Sequence, residues 1–342
     1  MTPPSSTSTS AASAASAASV ASVASVDMSV DLAGVRLPNP MMTASGCAAN
    51  GREMHRFIDV AQLGAFVTKS VKAQPVSGRG TPRMAETPSG MLNSIGLQGP
   101  GVQAFVEEDL AWLHSIGARV VVSIAGSTAS EFAGVARAVV RSRYASAVAA
   151  IEVNISCPNV ANRGLVFACD PASSHKVMTL VREEVPRGLP MLAKLSPDVT
   201  DIVEIADTVL RAGAHGLTMI NTTLGVAIDV DRLRPHLIAA TGGLSGPAIR
   251  PMAVRAVWQV AGAMRAGRIR TAPIVGVGGV RHGRDALELV AAGASAIQVG
   301  TAAFNDPTAP ERVGRELEQL LAERGFDRLS DVVGIAHERF TP

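Results

Sequence analysis

Cys157 stands in a run of polar side chains, Asn154-Ile155-Ser156-Cys157-Pro158-Asn159, where the apolar stretch Ala149-Ala150-Ile151-Glu152-Val153 gives out. A thiol that becomes a thiolate serves as a base or a nucleophile, and carboxamides offer one donor and one acceptor edge to a planar polar ligand. A lone cysteine is ordinarily a small buried hydrophobe, so it is the neighbours that direct attention to this one. Two lysines share the pattern: Lys69 follows one apolar run and Lys194 lies near the end of another. Buried lysines at such positions hold a cation against charge that develops during a reaction.

Glycines make a second set. Val277-Gly278-Gly279 and Val299-Gly300-Thr301 each close an apolar run, and Thr241-Gly242-Gly243-Leu244-Ser245-Gly246-Pro247 leads toward a helix expected from about Ala248. Any one of these reads equally well as a tight turn. Three together, two of them at consecutive strand ends, let backbone N–H groups approach an anion and point to a phosphorylated cofactor.

The elements that must position these groups follow from the apolar runs. They fall at 41–43, 65–68, 120–124, 151–155, 191–195, 216–220, 274–277 and 296–299, each followed by a segment able to form a helix. Eight such pairs in about 300 residues match a (β/α)8 TIM barrel, with a doubly wound open sheet as the alternative. Polar and glycine residues follow nearly every run, so they converge on the rim where barrel enzymes carry their chemistry. A hairpin turning at Ala33-Gly34 is expected ahead of the first run, placed to plug the lower end of the barrel. The intervals 69–100 and 221–247 are too long for simple connections and should carry small elements of their own.

Residues 1–26, almost wholly Ala, Ser, Thr and Val, predict a disordered low-complexity tail before one domain over 27–342. The first basic residue is Arg36, so the tail lacks the charged start of a secretory signal, and it has no apolar face for a membrane. The chain has 342 residues, 47% of them hydrophobic, and a net charge of +2, so it can bury a large core yet offers nucleic acid no basic footprint. Mean hydropathy is +0.25. Three cysteines without a CxxC pair suggest a reducing compartment, hence the cytoplasm, and no structural disulfide. Histidines at scattered spacings predict no metal site, and the same cysteines no iron–sulfur cluster.

Asn154-Ile155-Ser156-Cys157-Pro158-Asn159, Met91-Leu92-Asn93-Ser94-Ile95-Gly96-Leu97-Gln98, Lys194-Leu195-Ser196-Pro197, Met219-Ile220-Asn221-Thr222 and the segment from Thr241 to Pro247 together resemble dihydroorotate dehydrogenase, in particular the catalytic subunit of the NAD-linked class 1B type. The resemblance runs from about Val30 to near residue 330. It implies a (β/α)8 barrel binding one FMN and oxidising dihydroorotate to orotate in pyrimidine biosynthesis: a base takes the C5 proton and flavin N5 the C6 hydride. Cys157 matches the base, carried on a lid from 157 to 170, with Lys69 as a source of positive charge. Substrate positions implied are Lys69, Asn93, Ser94, Ile95, Gly96, Leu97, Asn154, Asn221 and Thr222. FMN positions implied are Ser45, Lys69, Ser70, Ser123, Asn154, Lys194, Ile220, Gly246, Gly278, Gly279, Gly300 and Thr301. Cys47 fits the family's Ser-Gly-Cys segment as a packed residue.

Ser123 stands where the family pattern has Asn, which predicts a shorter or water-mediated contact to flavin. The class 1B resemblance further implies a homodimer core joined, as a heterotetramer, to a second subunit with FAD and a [2Fe–2S] cluster that passes electrons to NAD. A fumarate-linked class 1A enzyme, a dihydropyrimidine dehydrogenase-like enzyme and a non-catalytic phosphate-binding barrel are the competing readings.

Overall fold

Buried on both faces, the strands of a parallel barrel must be nearly continuous apolar runs, and the runs in this chain fold as such strands. In the computed structural model, which describes residues 26–156 and 170–338, the chain begins with a hairpin of β1 (Val30–Leu32) and β2 (Val35–Leu37) turning through Ala33-Gly34. The barrel then starts with β3 (Met41–Thr43) and β4 (Phe66–Val67), and breaks for an excursion through β5 (Met84–Thr87) and β6 (Gly90–Asn93). It resumes with β7 (Val120–Ile124), β8 (Val148–Val153), β9 (Met191–Leu195) and β10 (Gly216–Met219). A second excursion holds β11 (Thr223–Gly225), β12 (Ile228–Asp229), β13 (Arg234–Pro235) and β14 (Gly242–Ser245), and β15 (Ile274–Val277) and β16 (Ala296–Val299) complete the barrel.

The eight-stranded sheet runs β3-β16-β15-β10-β9-β8-β7-β4, all its neighbours parallel, and a parallel bridge from Met42 to Ala65 joins its two edges. The sheet therefore closes, which removes the open-sheet alternative. Helices pack outside it, and their starts are written in the sequence: Thr128 caps Ala129–Val140, Asp170 caps Pro171–Glu184 and Asp201 caps Ile202–Arg211, each side chain accepting from a first-turn N–H. The hairpin enters the amino-terminal end of β3, and Leu32 and Leu37 are fully buried in the core. Val26 is also buried and Asp27 N donates to Asp327 O at 2.8 Å, so the packed part reaches back to the last residue assigned by composition to the tail. The rest of that tail lies outside the described residues.

Some expected boundaries move: the strand expected over 65–68 covers Phe66–Val67, the one expected over 216–220 stops at Met219, and the one expected from Ile151 begins at Val148. The run expected to end at Ile155 leaves the sheet at Val153, because Ile155 N turns back to Val153 O at 3.0 Å and throws the chain into a bend. The helix expected near Ala248 begins as a short turn, Pro247–Ile249, and becomes regular as Arg250–Arg265. The two long intervals do carry elements of their own. They supply one antiparallel sheet of order β11-β14-β6-β5, with Gly243 opposite Asn93, although the pairing partners lie some 150 residues apart in sequence.

Candidate active site

A cavity of about 720 Å³ opens at the carboxyl ends of the barrel strands, beneath the antiparallel sheet. Into it β3 delivers Ser45 and Cys47, β4 delivers Lys69 and Ser70, β8 delivers Asn154, and β9 delivers Lys194. The chain after β10 adds Ile220, Asn221 and Thr222; β15 and β16 end in Gly278, Gly279, Gly300 and Thr301. The excursions add Asn93, Ile95, Gly96, Leu97 and Gly246. The residues singled out from sequence thus come together on one cavity, with three exceptions. Ser94 is fully buried behind it, its hydroxyl without a hydrogen-bond partner among the described residues. Ser123, expected at the flavin, is also fully buried and faces Ser70, hydroxyl to hydroxyl at 2.9 Å, so it supports a lining residue instead of lining the cavity. Cys157 and the expected lid, 157–169, lie outside the described residues.

The amides are held by one another. Asn154 Nδ2 donates to Ser70 Oγ at 2.8 Å, while Asn154 Oδ1 accepts from Ser156 Oγ at 3.2 Å and from Asn221 Nδ2 at 3.2 Å. Asn221 Nδ2 also reaches Ser156 Oγ at 2.9 Å, and its Oδ1 accepts the Thr222 N–H at 2.8 Å. This relay crosses the ends of β4, β7, β8 and β10 and fixes which edge each amide turns outward, the preorganisation a planar ligand needs.

Lys194 is nearly buried, at 4% exposure, and its Nζ donates to Ser45 Oγ at 3.1 Å. Behind it Glu152 of β8, fully buried, places Oε1 3.6 Å from the ammonium, and Gln298 of β16 donates from Nε2 to Glu152 Oε2 at 2.8 Å. Desolvation pushes the Cys47 thiol up, against the pull of Lys194 and Lys69, so it stays protonated at neutral pH, although the residue is half-buried and lines the cavity.

The glycine end has no room for side chains. Gly279, at φ +75°, would bring a Cβ to 2.9 Å from Arg250 N, and Gly278, at φ +133°, to 2.9 Å from the Ala253 Cβ. Asp285 pins the loop that follows, accepting from Arg281 N at 2.8 Å and His282 N at 3.0 Å and pairing with Arg250 at 2.5 Å. Across the cavity Thr301 Oγ1 donates to Ser245 Oγ at 2.8 Å, tying β16 to β14. The first turn of the Pro247–Ile249 segment is partly committed, since Ala248 N donates to Ser89 O at 2.9 Å; the close-approach surface is chiefly that of the glycines. A phosphorylated cofactor fits this set: a bare backbone cradle, adjacent hydroxyls, a buried cation, and a cavity within the usual size range of cofactor sites, about 300–1,000 Å³.

A family model described as dihydroorotate dehydrogenase matches residues 27–321. The chain belongs to the dihydroorotate dehydrogenase family. A protein of Geobacter sp. (strain M21) called "Dihydroorotate dehydrogenase B (NAD(+)), catalytic subunit" is 47% identical over 308 residues, covering 90% of this chain and 97% of that protein. Proteins with the same description from Citrifermentans bemidjiense and Geotalea uraniireducens are 47% and 44% identical over the same shares. This member of the family is an oxidoreductase with a barrel fold. Among its described residues no helix is long and apolar enough to cross a membrane, and no group of three His, Cys, Asp or Glu could hold a metal ion.

Glu152 and Gln298 are the site residues that reading the sequence passes over. Each is a lone polar residue inside an apolar run, Ile151-Glu152-Val153 and Ile297-Gln298-Val299, and that interruption is the available signal.

Proposed function

We propose that this chain is the FMN-binding catalytic subunit of an NAD-linked dihydroorotate dehydrogenase, oxidising (S)-dihydroorotate to orotate in pyrimidine biosynthesis. The reading is carried by the convergence of Asn93, Asn154 and Asn221 with Lys69 and Lys194 on one cavity that has a glycine cradle. Gly246, Gly278, Gly279, Gly300 and Thr301 would hold the phosphate, and Ser45, Ser70, Asn154, Lys194 and Ile220 the rest of the cofactor. FMN, when bound, supplies the hydride acceptor. Asn93, Asn154, Asn221 and Thr222 orient the pyrimidine ring through its amide edges, while Lys69 contributes positive charge for its carboxylate. Cys157, on the family resemblance, takes the C5 proton.

Electrons pass on to NAD through a second subunit with FAD and a [2Fe–2S] cluster. The relatives' description as a catalytic subunit supports a partner of this kind. A homodimer core within a heterotetramer, and the cytoplasm as its place of action, complete the proposal.

The test is anaerobic: purify the chain alone, add dihydroorotate, then NAD. Loss of the visible flavin absorbance on adding dihydroorotate, without recovery on adding NAD, is the expected result. A protein that takes up no FMN, or whose FMN dihydroorotate never reduces, would overturn it. Recovery by NAD alone would remove the second subunit. Replacing Cys157 with Ala should leave bound FMN oxidised under the same conditions.

A further inference from the structure

We infer that Glu152 is a positioning residue that sets the electrostatic strength of Lys194 at the cofactor; the inference rests on the FMN reading above. Lys194 lines the cavity, whereas Glu152 does not, so the ammonium lies between the cavity and a carboxylate buried among the barrel strands. The three side chains of this group come from β8, β9 and β16, and the buried Ser123 and Thr218 stand in register with Glu152 and Lys194 on β7 and β10. Among the described residues Glu152 Oε1 has no hydrogen-bond partner, so its tie to Lys194 is the 3.6 Å ion pair alone. Gln298 holds the other carboxylate oxygen and keeps the head group fixed.

A flavin gains negative charge as it is reduced, and a cation close by favours that state. A carboxylate directly behind the cation cancels part of its field, and burial of both groups makes the cancellation larger than it would be in water. Glu152 thereby holds the potential of bound FMN below the value that Lys194 alone would impose. It also fixes where the ammonium sits, together with Ser45.

The experiment compares FMN-loaded wild type with Glu152→Gln, Glu152→Asp and Lys194→Met by equilibration with redox dyes, alongside FMN dissociation constants. At a fixed dye potential, Glu152→Gln should raise the ratio of reduced to oxidised FMN at least tenfold; Lys194→Met should lower it by a similar factor; and Glu152→Asp should return it to within about threefold of wild type. A purely structural role would loosen FMN in both single variants without moving their potentials in opposite directions. An unchanged ratio in Glu152→Gln, or a shift in the same direction as Lys194→Met, overturns the inference. Should Glu152→Gln not accumulate as folded protein, Gln298→Leu replaces it: removing the donor to Oε2 strengthens the carboxylate's field, so the ratio should fall at least threefold, and no fall overturns the inference equally. Failure of the wild type itself to bind FMN would instead overturn the FMN reading, so the two failures are distinct.

Discussion

Glu152 and Lys194 make one stability experiment decisive. At 3.6 Å, with both side chains out of water, two unit charges attract by about 4–5 kcal/mol at an effective dielectric of about 20. Removing one partner leaves the other charge buried, with the neutral Gln298 still bound to the carboxylate or the neutral Ser45 to the ammonium. Such a change costs about 3–5 kcal/mol, while replacing both ions by neutral groups of similar volume is often near neutral, because two desolvation penalties vanish with the attraction. Glu152→Gln and Lys194→Met should therefore each lower the unfolding free energy by about 3–5 kcal/mol, and the double variant should lie within about 2 kcal/mol of wild type. The assay is urea denaturation of the FMN-free proteins, so that loss of ligand does not add to the difference. Single effects below about 1 kcal/mol, or a double variant equal to the sum of the singles, would refute the reasoning.

Three further outcomes follow from other residues. Asn154→Ala removes the acceptor shared by Ser156 and Asn221 and the donor to Ser70, so kcat/KM for dihydroorotate should fall at least about a hundredfold, roughly 3 kcal/mol, in steady-state assays. Gly279→Ala forces a Cβ onto Arg250 at φ +75°, and fluorescence titration should show FMN binding weakened about tenfold or more, with about 1–2 kcal/mol lost from the apoprotein. Burial, then Arg182 and Arg270, hold the His215 imidazole below its ordinary 6.5, and its Nδ1 accepts the Met191 N–H in the neutral form. A lowered folded value means the stability is present above pH 6.5 and is lost as pH falls through the folded value, because the unfolded chain takes up the proton first. Melting temperature should decline below pH 6.5, and His215→Gln should flatten that part of the profile.

What could be read from the sequence divides along physical lines. Parallel strands buried on both faces announce themselves as continuous apolar runs, and β3, β7, β9, β15 and β16 begin and end where those runs do. The residues at the strand ends came with them, because a barrel sends all such ends to one rim. Pairings distant in sequence were not legible. Nothing local in Gly242–Ser245 says that it pairs with Gly90–Asn93, and nothing in Ile151-Glu152-Val153 says that its carboxylate meets Lys194 and Gln298. Ser123 shows the same limit from the other side: a family pattern assigns the position to the cofactor, but a side chain this short stops at Ser70.

The charges of the mouth explain why one buried carboxylate matters there. A site meant to take up a phosphorylated cofactor and a carboxylated pyrimidine receives two anions before any chemistry begins, and reduction of the flavin adds more negative charge. Lys69 and Lys194 supply fixed positive charge at the cavity, and the glycine cradle adds backbone dipoles. A buried ammonium with no counterion would be costly to the fold, and at full strength it would also stabilise reduced flavin so well that handing electrons onward becomes slow. Glu152 limits both effects from a position the ligands never touch. On the proposed function the subunit both accepts a hydride and releases electrons to a partner, which calls for a cation of intermediate strength, and an ion pair whose far half is buried among β-strands provides one.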